Sequence, residues 1–166
     1  MTDYQDEHWM QQALVRAQRA VDDNEVPVGA VLVLDNEIIG EGWNQPISSH
    51  NPVAHAEIMA LQQGAQSQGN YRLLDSVLYV TLEPCCMCAG AMVHARIKRL
   101  VFGAYDAKTG AVESQLALLD ANFHNHRVEY QGGVLRQPCS DILSNFFSQL
   151  RSTRKSAAAK ERKVRD

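Results

Sequence analysis

Two short stretches hold the residues whose types and spacing could do chemistry: Pro52-Val53-Ala54-His55-Ala56-Glu57-Ile58 and Thr81-Leu82-Glu83-Pro84-Cys85-Cys86-Met87-Cys88-Ala89-Gly90. They supply one imidazole, a C-x-x-C pair of thiols and a carboxylate two positions after the imidazole. A catalytic zinc takes three protein ligands from His and Cys and leaves its fourth position to water, whereas a structural zinc is closed by a fourth protein ligand. His55, Cys85 and Cys88 make three. Glu57 is then a spare carboxylate beside the metal, suited to take a proton from water and deliver it to a heteroatom of a substrate.

These side chains need helix starts to hold them. Residues three apart on a helix share a face, so Cys85 and Cys88 can converge above a first turn, with Pro84 at the first helical position, where its missing N–H costs nothing. The positive end of the helix dipole favours thiolate, the form that binds metal. Residues two apart in a helix interior diverge, so His55 and Glu57 share a pocket only where a helix begins; Pro52 supports that by keeping Asn51 out of helical geometry. C-x-x-C by itself equally describes a redox pair or half of a structural zinc knuckle. Cys86 could offer a fourth thiolate, but a direct neighbour of Cys85 turns about 100° away, and it reads as a small buried hydrophobe.

The rest of the chain predicts the frame. A three-and-four spacing of Trp9, Ala13, Ala17 and Ala20 predicts an amphipathic helix over 6–22. Residues 28–34 and 37–43 read as strands joined by a tight turn at Asp35-Asn36. A polar loop, 44–51, leads into the His55 helix, which runs to Gln68; Asn44 in it either offers its amide to a purine edge or caps the turn after Trp43. Residues 76–81 form a strand, 85–95 the cysteine helix and 99–104 the next strand, an order that implies a parallel pair with a right-handed crossover and functional residues at the strands' carboxyl ends. A short helix near 113–119, a last strand at 127–130 and a long helix from Pro138 to about Glu161 complete an α/β fold, a three-layer α/β/α sandwich around a mixed, roughly five-stranded sheet. Phe146 and Phe147 point about 100° apart, one to the core and the other toward a base on which it can stack. His94, His124 and His126 are read as non-ligands.

At 166 residues and 45% hydrophobic content the chain has enough for one domain with a real core, taken as 1–150, with 151–166 as a basic helix end or tail. That end carries seven Lys and Arg against Glu161 and Asp166, a net of +5, while residues 1–150 hold nine basic against seventeen acidic residues, a net of −8. A basic end on an acidic body is either a solvated helix end or a site for a polyanion. The acidic start Met1-Thr2-Asp3-Tyr4-Gln5-Asp6-Glu7 has no apolar stretch after it, and no run approaches the roughly 18 apolar residues of a membrane span, so a cytoplasmic protein without membrane contact is expected. Four cysteines, two assigned to metal, make no disulfide framework.

H-x-E followed by P-C-x-x-C is also the signature of the zinc nucleobase deaminases. With Pro27-Val28-Gly29-Ala30-Val31, Gly40-Glu41-Gly42-Trp43-Asn44, Ala54 through Leu61, Thr81 through Met92 and Gly103 through Gly110, the chain resembles the bacterial tRNA-specific adenosine deaminases over nearly its whole length. The resemblance implies a cytidine deaminase-like fold and a homodimer, each pocket completed near the subunit interface. It implies one zinc per subunit on His55, Cys85 and Cys88, with Glu57 as the catalytic proton shuttle. The reaction it implies is conversion of the wobble adenosine of a tRNA anticodon to inosine. Asn44 would meet the flipped base, and Asp106, Lys108, Phe147 and Arg151 the anticodon stem-loop. Residue 105 is Tyr here where some relatives carry Arg. Guanine, cytidine and deoxycytidylate deaminases share the metal signature, so a deaminase of a free base or nucleotide is the alternative activity, and a structural-zinc RNA-binding module without chemistry the alternative class.

Overall fold

In the computed structural model, which describes residues 4–165, α1 (Tyr4–Asp22) leads into a hairpin of β1 (Gly29–Leu34) and β2 (Glu37–Trp43). The first three residues of the acidic start, and Asp166 of the basic end, lie outside the described residues. Asp35 and Asn36 close the hairpin with φ of 51° and 62°, the left-handed pair that a two-residue turn demands and that Asp and Asn tolerate. Then come α2 (Ala56–Gln68), β3 (Val77–Leu82), α3 (Cys86–Ala95), β4 (Arg99–Ala104), β5 (Glu129–Gln131) and α4 (Arg136–Arg165).

The strands form one mixed sheet in the order β2-β1-β3-β4-β5. β1 pairs antiparallel with both β2 and β3, whereas β3, β4 and β5 run parallel, as the strand–helix–strand order required. Alternate residues of β1 divide the core between two faces. Ala30 and Leu32 join α2 and α3 in one apolar cluster, while Val31 and Val33 join Met10 and Ala13 of α1 and Cys139 of α4 in the other. The three-layer sandwich is therefore built as period-2 patterning on buried strands dictates.

Two close joints position the working elements. A Cβ on Gly42 would lie 2.3 Å from the Ala56 carbonyl oxygen, so only glycine lets the first turn of α2 rest directly on β2. On the opposite face Arg99 of β4 clamps the buried Asp6 carboxylate with two hydrogen bonds of 2.9 and 2.8 Å, and the Tyr79 hydroxyl donates to the same group at 3.0 Å, a charge-assisted bidentate tie between α1 and the sheet.

Several sequence expectations are corrected. Residues 113–119 form no α-helix; turns there are followed by a 3₁₀ segment at Leu118–Asp120, because backbone N–H groups of that stretch are drawn onto a buried carboxylate. Cys86 is exposed, not buried, since α3 turns it outward. Pro84 lies one residue before the N-cap, Cys85, and not at the first helical position. Met10 takes the fully buried place expected of Trp9, which is only partly buried. α4 begins two residues before Pro138 and continues to Arg165; Phe146 is half-buried and Phe147 is 39% exposed, their rings 5.5 Å apart, edge to face. Among the described residues no helix is long and apolar enough to cross a membrane.

Candidate active site

His55 and Cys85 occupy matching positions. Each is the N-cap of its helix in extended backbone geometry, His55 at φ −77° and ψ 152°, Cys85 at φ −75° and ψ 175°. The positive ends of α2 and α3 thus meet, and Cys88, three residues into α3, completes the group. His55 Nδ1 lies 3.7 Å from Cys85 Sγ and 3.6 Å from Cys88 Sγ. The three ligand atoms are within 4.8 Å of one another, and among the described residues no further His, Cys, Asp or Glu joins them. His124 and His126 point their Nε2 atoms at the Leu118 and Ile97 carbonyl oxygens instead.

Without metal the two thiols share their protons unequally. Cys85 is held down to about 4, chiefly by the hydrogen bond from the Cys88 thiol and with help from His55, against the effect of burial. Cys88 is pushed up by that same bond and by burial. The hydrogen bond with Cys85 also raises His55. Two sulfurs and an imidazole so close together, at helix starts that favour thiolate, fit a zinc or similar thiophilic cation with one coordination position left over.

Glu57, the second residue of α2, is 4% exposed. Burial pushes its carboxyl up to about 7, with its own backbone hydrogen bond and the His55 charge acting the other way. A carboxyl that titrates near neutrality beside a metal-binding group can both accept and donate a proton, which is what general acid–base catalysis needs.

Asn44 takes a role the sequence did not indicate. Its Oδ1 accepts the Ala56 backbone N–H at 2.9 Å, so it caps α2 and not the turn after Trp43. The amide NH₂ is left to donate elsewhere. The 44–51 loop is held by the Ser48 N–H on buried Glu25 at 2.6 Å and the Gln45 N–H on the Ala54 carbonyl at 3.0 Å.

Glu83 is the residue sequence reasoning missed. Buried at 2% exposure, it accepts from the N–H groups of Asp106 at 3.0 Å, Val112 at 3.2 Å, Glu113 at 2.8 Å and Ser114 at 2.9 Å, and from the Ser114 hydroxyl. Burial pushes its carboxyl up, but the bonds from Ser114, Glu113 and Asp106 outweigh that and hold it below the usual range. A Cβ on Gly110 would meet the carboxylate at 2.4 Å. One carboxylate, two residues before Cys85, therefore folds the whole 105–115 loop. Its signal was a charged residue directly after the mostly buried strand Val77–Leu82.

That loop builds one wall of a groove. Asp106 spends its carboxylate on the N–H groups of Lys108 and Thr109 and on the Thr109 hydroxyl. Lys108, Phe147 and Arg151 line a groove of about 400 Å³ with Leu143 and Ser144. An adjoining one of about 450 Å³ is lined by Val26, Leu82, Tyr105, Asp106, Lys108 and Phe147 among others. Tyr105 carries the Arg136 guanidinium 5.0 Å from its ring centre, so a cation stands over the ring.

The MafB19-like deaminase family model matches residues 4–151. A tRNA-specific adenosine deaminase of Haemophilus influenzae is 56% identical over 151 residues, 90% of this chain and 87% of that protein. One from Bacillus subtilis is 42% identical over 153 residues, 92% and 95% of the two chains. Among solved structures, one from biochemical and structural studies of A-to-I editing by tRNA:A34 deaminases at the wobble position superposes with a TM-score of 0.79 at 42% identity, covering 82% of this chain and 99% of that one. A guanine deaminase from Nitrosomonas europaea shares the fold at 22% identity and a TM-score of 0.69, covering 84% and 83%.

Proposed function

This chain belongs to the MafB19-like deaminases and, at 56% and 42% identity to the two relatives above, to the tRNA-specific adenosine deaminases, and on that premise we propose that it hydrolyses adenosine to inosine at the wobble position of a tRNA anticodon. The observation that carries the reading is the convergence of His55, Cys85 and Cys88 within 4.8 Å beside buried Glu57. His55 Nδ1 and the two thiolates would hold one zinc per subunit, which when bound supplies a Lewis acid able to lower the pKa of water to about 7.

The chain's own residues do the rest. Glu57 takes one proton from the attacking water and passes it to the ring nitrogen beside the reacting carbon of adenine, then takes the second from the hydroxyl now on that carbon and passes it to the departing amine, so water enters and ammonia leaves. Asn44 donates its free NH₂ to an acceptor on the extruded base, and its cap on Ala56 keeps that donor in register with Glu57. The groove of Lys108, Phe147 and Arg151 receives the anticodon loop, whose unpaired bases are cheaper to extrude than paired ones. Asp106 supports this contact by shaping the loop that carries Lys108.

Residues 1–150 act as the deaminase domain, in a cytoplasmic homodimer. An apolar cleft of about 360 Å³ between α2 and α3, lined by Ile58, Leu61, Ala65, Leu73 and Ala91 with exposed Tyr71 at its edge, supports pairing through that face. The test is to incubate the purified protein with tRNA carrying a wobble adenosine and to read inosine by sequencing, with free adenosine, guanine and deoxycytidylate in parallel. Inosine in the tRNA is expected. Deamination of a free base or nucleotide with none in the tRNA would overturn the substrate assignment.

A further inference from the structure

α4 does not stop where the fold needs it to. Its packing against the sheet ends near Leu150, the last residue of the helix that is not fully exposed, yet the helix continues as one unbroken rod to Arg165 with every residue from Arg151 onward exposed. Arg151 is also where the family match ends. At 1.5 Å per residue the free portion is about 21 Å long.

The cations on this rod are not scattered. At 100° per residue, Arg151, Arg154, Lys155, Arg162 and Arg165 fall within an arc of roughly 100°, and Phe147 falls in the same arc one turn below. Glu161 lies just outside it, and Lys160 and Lys163 lie well away. The arc begins at Phe147 and Arg151, which with Leu143 and Ser144 are the α4 side chains that share a groove with Lys108. A single cationic ridge therefore starts at the groove that Lys108 lines and runs outward from it, on a chain whose first 150 residues carry a net of −8.

We propose that this ridge is a second RNA contact, an arm that lies along the phosphate backbone of the stem next to the substrate loop. The inference rests on the tRNA reading above and adds the part of the substrate that the pocket does not touch. A phosphate backbone is a line of charge, and a straight row of Arg and Lys on a rigid helix matches it without reading sequence. An acidic membrane surface is the poorer partner, because the face opposite the ridge carries Ala157, Lys160 and Val164 and offers no apolar stripe to insert. Starting at the Lys108 groove, the arm adds affinity for a stem without altering the chemistry at the base.

The experiment compares the full-length zinc-loaded protein with three variants, measuring anisotropy of a labelled tRNA against salt and the kinetics of inosine formation. Arg154, Lys155, Arg162 and Arg165 are replaced together by Gln; Lys160 and Lys163 are replaced by Gln as an off-ridge control; Arg154, Arg162 and Arg165 are replaced by Lys to keep charge. The ridge variant is expected to bind tRNA about tenfold or more weakly, with the log–log salt slope shallower by about 3. Its KM for tRNA rises while kcat holds, and a loop-only oligonucleotide without the stem is turned over as by the parent. The control pair and the Lys variant should stay within about twofold of the parent. Equal losses in the ridge and control variants would overturn the proposal, as would an unchanged salt slope, or binding to anionic lipid vesicles that the ridge variant loses while its tRNA affinity is unchanged. Absence of inosine with the parent protein would instead strike the tRNA reading, which this comparison keeps separate.

Discussion

The Asn44 side-chain oxygen accepts the Ala56 backbone N–H at 2.9 Å, which fastens the exit of β2 to the first turn of the helix that carries His55 and Glu57. The 44–51 loop and the start of the helix that carries Glu57 are thus one hydrogen-bonded unit. Asp in place of Asn keeps the acceptor and removes the NH₂; Ala removes both. Asn44→Asp should therefore melt close to the parent while losing most of its activity on tRNA. Asn44→Ala should lose activity and also about 1 kcal/mol of stability, the usual worth of a cap. Thermal melts beside single-turnover assays separate the two, and an active Asn44→Asp would remove the base contact from Asn44.

Glu57→Gln keeps the size of the side chain and removes its ability to carry a proton. His55, Cys85 and Cys88 are untouched, so zinc measured by elemental analysis should remain one per chain. Turnover should fall at least a hundredfold, in the range that general acid–base groups supply. Normal turnover in this variant would show that another group moves the proton.

The pH dependence of the chelator-treated protein carries the same residue's signature. The folded carboxyl of Glu57 stands near 7 because of burial, against an ordinary value of 4.5. Between those values the native state holds a proton that the unfolded chain has released, so this group makes stability fall as pH rises from about 4.5 to 7. The penalty is complete above 7 and absent below 4.5, and amounts to roughly 3 kcal/mol. Metal-free Glu57→Gln should consequently melt higher than metal-free parent at pH 8, and the gap should close toward pH 4.5. Parallel melting curves with no pH-dependent gap would remove the buried, neutral carboxyl from the account.

Much of this site was legible from spacing alone, and the reasons are physical. His55, Glu57, Cys85 and Cys88 are pinned to two helix starts, a local geometry that Pro52, Pro84 and the three-residue period announce. The hairpin at Asp35-Asn36 and the parallel β3–α3–β4 unit were legible for the same reason. What escaped depends on contacts distant in sequence. Glu83 reaches residues 23 to 31 positions away, and once its carboxylate takes the N–H groups of Val112, Glu113 and Ser114 the local preference for a helix near 113–119 is overruled. Cys86 was misjudged because thiols are usually buried, whereas α3 needs its inward face for Cys88, Ala89 and Met92. The free length of α4 was hidden because exposure in a charged helix depends on where its partner layer ends.

Glu83 gives the sharpest structural test, because its five donors leave no room for a substitute. A carboxamide would turn an NH₂ toward N–H groups that now find an acceptor, and each buried donor left without one costs about 1–3 kcal/mol. Glu83→Gln should lose about 3 kcal/mol, a fall in Tm of roughly 10 °C for a chain of this size. The pH sign is opposite to that of Glu57. Hydrogen bonding holds the Glu83 carboxyl below its ordinary value of 4.5, so its contribution is present above that pH and fades as pH falls through the lowered one. The difference in Tm between parent and Glu83→Gln should hold steady from pH 8 to 5 and shrink only in more acidic buffer. Because the 105–115 loop carries Lys108, the variant should also raise KM for tRNA more than it lowers kcat, while proteolysis begins to cut within 106–115. A variant with the parent's melting temperature and an uncut loop would mean that the loop folds without this carboxylate.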